Sequence, residues 1–256
     1  MPGTGPSPLA PARPRPLPDR RPSMDTSHPI ADRYTVGRTR ATPFDEAGYD
    51  AVLRRDFHDH YADGRDLWTG EEAMRRAPGL LMDALGGPGG ARVLDLGTGH
   101  GRDAELLLAG GHRVTGVDIV ASPAWEIISV EWPGRARFLA TAVLDLPGAA
   151  EYEAVLDNGC FHHQHPGAYG PYLRRIRELL RPDGLFAVSV FHAADGAGGL
   201  YANEGDRLYR EFTVEELTTL VRAHGFAPVA THRVPRAVEG LAYLVGIFRR
   251  VAGDDR

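Results

Sequence analysis

Between Val93 and Asp103 the chain reads Val-Leu-Asp-Leu-Gly-Thr-Gly-His-Gly-Arg-Asp. An apolar run, glycines at 97, 99 and 101, and an amphipathic continuation predict a strand, a tight turn and a helix. Glycine admits positive φ there and lets a ligand approach the backbone. The helix N-terminus that follows favours a carboxylate or phosphate. A strand passing into a helix through such a turn is half of a βαβ unit and commits the chain to a parallel sheet. The spacing also excludes relatives of this arrangement. A dinucleotide fingerprint, Gly-x-Gly-x-x-Gly, would need glycine where Arg102 stands, and a phosphate-binding loop would need Gly-Lys-Ser/Thr.

The rest of the chain repeats the alternation. Helical periodicity runs from Glu46 to Ala62 through Tyr49, Val52, Leu53, Phe57 and Tyr61. A second helix is expected after Thr69, which forms a capping box with Glu72 and carries Leu80, Leu81 and Leu85 on one side. Strands are expected at Ala91–Leu96, His112–Val117, Arg137–Val143, Tyr152–Leu156 and Leu185–Phe191. Helices fall between them at Arg102–Ala109, Pro123–Val130 and Ala168–Leu180. Thr213 and Glu216 cap a last helix, and Ala227–Val234 with Gly240–Arg249 read as a closing hairpin. Near-continuous apolar strands mean a sheet covered on both faces, with ligands at the strands' carboxyl ends.

Composition narrows the class. The 256 residues are 43% hydrophobic, enough for a full core. No apolar run reaches the ~18 residues of a membrane span. One cysteine, Cys160, excludes a disulfide framework and a cysteine-built metal site and fits a reducing, cytoplasmic setting. Residues 1–22 hold eight of the 20 prolines, so 1–42 reads as a disordered, solvated tail, with Met24 an alternative start. Its seven arginines against three aspartates, within a net charge of −5, leave an acidic body that argues against a nucleic-acid partner.

Asp95-x-Gly97-x-Gly99-x-Gly101, followed by Asp118 at the tip of the next strand, resembles motif I and the acidic second-strand tip of class I S-adenosylmethionine-dependent methyltransferases. Leu146-Pro147, Leu156-Asp157-Asn158-Gly159 and Leu179-Leu180-Arg181-Pro182-Asp183-Gly184 extend the likeness over about residues 90–250, with Asp183 where that family usually has glycine. The resemblance implies a doubly wound, mostly parallel seven-stranded α/β sheet under an N-terminal helical cap. The implied cofactor is S-adenosylmethionine. Gly97 and Gly99 would line its methionine part, Asp95 would order the loop or reach the ammonium, and Asp118 would bind the ribose. The implied cofactor set also takes in Thr98, Gly101, Ile119, Asp157 and Trp68. The family's adenine-reading acid is replaced by Ala142, which leaves backbone groups near Val143 and Leu144, or the Asp145 side chain, to read adenine. Gly101-Arg102-Asp103-Ala104, Tyr61-Ala62-Asp63-Gly64 and Cys160-Phe161-His162-His163 resemble the tellurite-resistance and thiol or thiopurine methyltransferases more finely.

Methyl transfer from a sulfonium mainly needs alignment and exclusion of water, and an alcohol or protonated amine also needs a base. His162, His163 and His192 are the catalytic candidates; packing or turn contacts are the competing reading of each. Adjacent histidines on a tight turn converge poorly on one ion, so no metal is expected. Tyr61 and Trp68 belong to a lid or to ordinary helix packing, and His58 and His60 read as solvated. Ala193–Arg207, with Tyr201, reads as a Gly-rich loop that covers substrate or simply connects. Cys160 reads as a partly buried thiol rather than a nucleophile. The Asp/Asn-Pro-Pro-Tyr segment of nucleic-acid amine methyltransferases is absent, which favours a small-molecule substrate.

The expected organisation is therefore a tail at 1–42, a helical cap at 43–88 and a methyltransferase core at 89–256. The expected reaction carries a methyl group to sulfur, selenium or tellurium, or to nitrogen or oxygen, of a small molecule. The alternative is a cofactor-binding regulatory or repurposed protein on the same fold. Neither a nucleic acid nor a membrane is an expected partner, and the apolar closing strands offer an edge for a homodimer.

Overall fold

The computed structural model describes residues 39–40, 46–193, 196 and 198–252. The expectations for 1–38 and 41–45, including the start at Met24, the end of the tail and the start of the cap, lie outside the described residues, as do 194, 195 and 197 of the expected Gly-rich loop. In chain order the strands are β1 (Thr39–Arg40), β2 (Arg92–Leu96), β3 (Arg113–Asp118), β4 (Ala136–Ala140), β5 (Tyr152–Asn158), β6 (Leu180–His192), β7 (Leu200–Ala202), β8 (Leu208–Phe212), β9 (Phe226–Pro235) and β10 (Ala242–Arg250). The helices are α1 (Glu46–Ala62), α2 (Arg76–Ala84), α3 (Arg102–Ala109), α4 (Ala124–Glu131), α5 (Tyr169–Leu179) and α6 (Val214–Arg222).

Seven strands lie in the order β4-β3-β2-β5-β6-β10-β9. The first five are parallel, β10 runs antiparallel to β6, and β9 closes a hairpin with β10. The α/β class is as expected. The strand count is not: β8 pairs with β6 at Phe191 and His192, β7 pairs with β8 and β1 with β7, which extends the sheet to ten strands. This small annex corrects the reading of Ala193–Arg207 as a loop and gives residues 39–40 a partner. Strands as short as β7 leave too few alternations to separate from a loop.

Each face of the sheet is covered. On one, Leu173 and Ile176 of α5 and Leu217 and Val221 of α6 pack over Val155, Phe186 and Leu244. On the other, Leu81 of α2 with Leu107 and Leu108 of α3 packs over Val93, Leu156 and Val245. A third, smaller cluster joins Tyr49 and Leu53 of α1 to Leu208 of β8. The capping box at Thr213 forms: its hydroxyl accepts from the Glu216 N–H at 3.1 Å, and the Glu216 carboxylate accepts from the Thr213 N–H at 2.9 Å. The box expected at Thr69 and Glu72 does not. The Arg102 guanidinium donates to the carbonyls of Trp68 and Thr69 at 2.8 and 3.3 Å, and the chain makes two 3-10 turns before α2 starts at Arg76. Asp183 occupies its glycine-like position with φ 62°, a left-handed conformation that aspartate tolerates.

β2 is flanked by β3 on one side and β5 on the other, so the winding direction reverses between β2 and β5. The carboxyl ends of these strands splay apart there and open a crevice.

Candidate active site

A cavity of about 940 Å³ fills that crevice and continues beneath α1. Its near end is walled by Gly97 after β2, Asp118 and Ile119 at the tip of β3, and Thr141 to Asp145 after β4. Its far end takes Phe57, His60 and Tyr61 from α1, with Trp68 just beyond it. The turn after β5 adds His162 and His163, and β6 and β10 add Phe191 and Tyr243. Asn203, Arg207 and Tyr209 come from the annex.

The glycine turn is held from below. Asp95 is buried and accepts from the Thr98 hydroxyl at 2.6 Å. Burial, then the neighbouring Asp103 carboxylate, pushes its carboxyl well above the usual range. Asp103 in turn accepts from Arg102 at 2.7 and 2.9 Å and from the Asn158 amide at 2.6 Å. The Gly99 carbonyl accepts from the Trp125 indole at 2.8 Å. At Gly97, φ is 68° and a methyl group would lie 2.9 Å from the Cys160 Cβ, so the wall there is bare backbone. Asp118 faces this wall with both carboxylate oxygens anchored, accepting from the Gly99 and Val120 N–H groups at 2.9 Å each. Burial raises its pKa.

Asp95, Thr98, Gly99, Gly101 and Asp157 thus shape the site from outside the cavity wall. Gly97, Asp118, Ile119, Val143, Leu144 and Trp68 stand on it. Asp157 is fully buried: it accepts from the Cys160 and Phe161 N–H groups at 2.9 Å each and from the Tyr172 hydroxyl at 2.7 Å, which fixes the turn after β5. Burial pushes its carboxyl up to about 6, from an unfolded value of about 3.9. The folded state therefore holds this proton more tightly. The stability it contributes is complete below pH ~4 and is lost as pH rises through ~6. Asp157→Asn is expected to remove that component. Thermal unfolding measured across this window should show the wild type losing more stability than the variant as pH rises; parallel profiles would contradict it.

The three catalytic candidates separate. His163 is 8% exposed, and its Nδ1 lies 2.8 Å from the Leu208 carbonyl, which assigns the proton to Nδ1. Its Nε2 then accepts from His162 Nε2 at 3.0 Å. Burial, reinforced by the charge of Arg207, pulls His162 down to about 3, and His163 falls well below its ordinary value, chiefly by burial. His192 stands at the end of β6, outside the cavity wall. Cys160 is a partly exposed free thiol on the wall, and burial pushes its pKa up. His60 corrects its solvated reading: its Nδ1 lies 2.7 Å from the Asp56 carbonyl, and its ring lies 5.6 Å from that of Trp68. His58 is exposed.

Sequence reasoning passed over a buried polar set. Asp56 of α1 faces Arg207 at 3.2 Å, accepts from the Asn203 amide at 3.2 Å and lies 3.3 Å from His60. Glu71 accepts from Arg236 at 2.8 and 3.1 Å and from the Tyr243 hydroxyl at 2.6 Å. Apart from Asp56 and His60, one helical turn apart, these partners are 147 to 172 residues apart in the chain, and no local pattern announces them. A charged residue inside an otherwise helical or strand pattern was the only signal available.

A family model described as a methyltransferase domain matches residues 70–231. A crystal structure of the 1,6-didemethyltoxoflavin-N1-methyltransferase of Burkholderia thailandensis, with 1,6-didemethyltoxoflavin and S-adenosylhomocysteine bound, is similar at 52% identity and a TM-score of 0.80. The likeness covers 84% of this chain and 94% of that one. The C-methyltransferase NovU of Streptomyces niveus is 28% identical over 172 residues, 62% of this chain and 38% of that protein. The ribosomal RNA small subunit methyltransferase C of Chromohalobacter salexigens is 33% identical over 112 residues, 42% of this chain and 33% of that protein. The matched stretches thus span about a third of these two relatives' length. No helix among the described residues is long and apolar enough to cross a membrane.

Proposed function

The chain belongs to the methyltransferase-domain family and is an S-adenosylmethionine-dependent methyltransferase, and from that premise we propose that it methylates a ring nitrogen of a flat, fused heteroaromatic small molecule. One observation carries the choice of acceptor: the far end of the cavity is walled by aromatic rings. Phe191 stacks on Tyr243 at 5.7 Å and 20°, and Phe57 meets Trp68 edge-on at 5.8 Å and 87°. Such walls suit a planar ring system through stacking and edge contacts. The relative crystallised with 1,6-didemethyltoxoflavin, an N1-methyltransferase, is 52% identical, which supports a nitrogen acceptor on a small molecule here.

The near end fits the cofactor. A bare glycine wall at Gly97 admits a ligand close to the backbone, and the anchored Asp118 carboxylate suits paired ribose hydroxyls. In this proposal Gly97, Asp118, Ile119, Val143 and Leu144 hold it, Trp68 serves the acceptor end instead, and Asp95, Thr98, Gly99, Gly101 and Asp157 fix the loops that carry the cofactor residues. S-adenosylmethionine supplies an electrophilic methyl on a positively charged sulfur. The protein aligns the acceptor and shuts out water with α1 and the annex. His162 and His163 form part of the acceptor wall as neutral rings, since burial opposes the cation that a base would become.

Incubating the purified protein with S-adenosylmethionine and a panel of acceptors tests this. The panel should hold 1,6-didemethyltoxoflavin and related fused-ring N–H compounds beside thiols, selenite, tellurite, phenols and a carbon nucleophile. Methylated ring-nitrogen products, with matching release of S-adenosylhomocysteine, are expected. Turnover of thiols, selenite or tellurite with every ring nitrogen untouched would instead favour the chalcogen acceptors that the Cys160-Phe161-His162-His163 likeness suggests.

A further inference from the structure

We propose that Arg207 selects acceptors whose ring N–H ionises, so that the nitrogen enters the site as its conjugate anion and no side chain has to remove the proton. This rests on the ring-nitrogen reading above. Arg207 is 8% exposed on the cavity wall. Its guanidinium lies 4.4 Å from the centroid of Phe57 and 5.3 Å from that of Trp68, two of the rings that wall the acceptor end. Asp56 fixes it from α1 at 3.2 Å, and that carboxylate is shared with Asn203 and His60. A positive charge held among aromatic rings in a low-dielectric wall favours an anion beside it.

Most of the groups facing Arg207 are already committed to other partners. From α1, the Tyr49 hydroxyl is spent donating to the His163 carbonyl at 2.7 Å and accepting from the Leu208 N–H at 2.8 Å. Asp56 is held by Arg207 and Asn203, and His60 spends its Nδ1 on Asp56, which leaves His60 Nε2 as the rival base that the acid limb of the pH profile tests. From the turn after β5, the His163 lone pair is filled by His162. Glu204 and Asp206 of its own loop are exposed. The charge of Arg207 opposes protonation of both His162 and His163; the same field draws in an anionic nitrogen. The proton then leaves to solvent before binding. The anionic nitrogen's lone pair forms the new N–C bond, the S–C bond of the methyl donor breaks, and its electron pair stays on sulfur. A neutral methylated ring and S-adenosylhomocysteine result.

The test is the pH dependence of kcat/KM for two ring-nitrogen acceptors of different N–H acidity, with wild type, Arg207→Met and Arg207→Lys. The acid limb is expected to follow each acceptor's own pKa. Arg207→Met should raise KM for the ionising acceptor about 10- to 100-fold, the worth of a charged hydrogen bond. A pyridine-like acceptor without an N–H should lose much less, and calorimetric affinity for S-adenosylmethionine should hold. Arg207→Lys, which keeps the charge and guards against misfolding, should retain part of the preference. An acid limb fixed at one pH for both acceptors would assign the proton to an enzyme base and overturn the proposal. Equal losses for both acceptors in Arg207→Met would overturn it too. If wild type methylates no ring nitrogen at any pH, the acceptor reading itself falls, which is a separate outcome.

Discussion

Arg236→Met is expected to lower the unfolding free energy by about 3–5 kcal/mol, the usual cost of breaking a buried ion pair from one side. The Arg236 and Glu71 side chains are 3% and 4% exposed, so methionine would leave a carboxylate stranded in the interior. Among the described residues, Tyr243 is the one that would still donate to it. Arg236 also lies over the rings of Phe191 and Tyr243, at 5.2 and 4.7 Å from their centroids. Its loss therefore loosens two walls of the acceptor end. Chemical denaturation should reveal the loss, and thermal unfolding a Tm drop on the order of 10 °C. The double variant Arg236→Met with Glu71→Leu strands no charge and should recover much of the stability. Equal destabilisation in the single and double variants would show that packing, not the uncompensated charge, is what matters.

The second large effect falls on the cofactor. Asp118→Ala is expected to weaken S-adenosylmethionine and S-adenosylhomocysteine binding by more than tenfold. The substitution removes the carboxylate from the wall and frees two backbone donors, Gly99 N–H and Val120 N–H. The freed donors lower stability in the free and bound states alike, whereas the lost charged hydrogen bond to the ribose is worth about 1.5–3 kcal/mol of binding, and every 1.4 kcal/mol is tenfold in affinity. Asp118→Asn should recover only part of the loss, because an amide has one oxygen for two backbone donors. Calorimetric titration decides the matter: retained affinity in the alanine variant would remove Asp118 from the site.

The part of this molecule that was legible in the sequence is the part built from neighbours. The apolar run into Gly97, Gly99 and Gly101, the capping pair Thr213 and Glu216, and the continuous apolar stretch from Leu185 to Phe191 each declare their own local geometry. Together they announce the winding of the sheet and the place of the crevice. What was illegible depends on residues far apart in the chain. Thr69 and Glu72 satisfy the capping pattern, yet Arg102, 33 residues on, takes the carbonyls and holds the segment in short turns. Three-residue β7 is a strand because β8 and β1 lie beside it. His60 looked solvated because a helix does not show, in one dimension, which of its faces Trp68 and Asp56 occupy. Arg207 and Asp56 could not be paired in advance for the same reason.

The hydroxyl of Tyr49 reaches the His163 carbonyl and the Leu208 amide, contacts that span 114 and 159 residues. Each closes a long loop, and loop entropy must be spent before either bond returns anything. The far wall of the cavity should then be a late-forming, independently opening unit, while the β2–β5 sheet forms early from nearer contacts. Native-state amide exchange would register this as a hierarchy, with Leu208 exchanging through partial opening long before Val155. An enzyme assembled this way carries its specificity in its least stable foldon. Substitutions that alter acceptor choice can accumulate there while the sheet that carries the cofactor loops stays unperturbed.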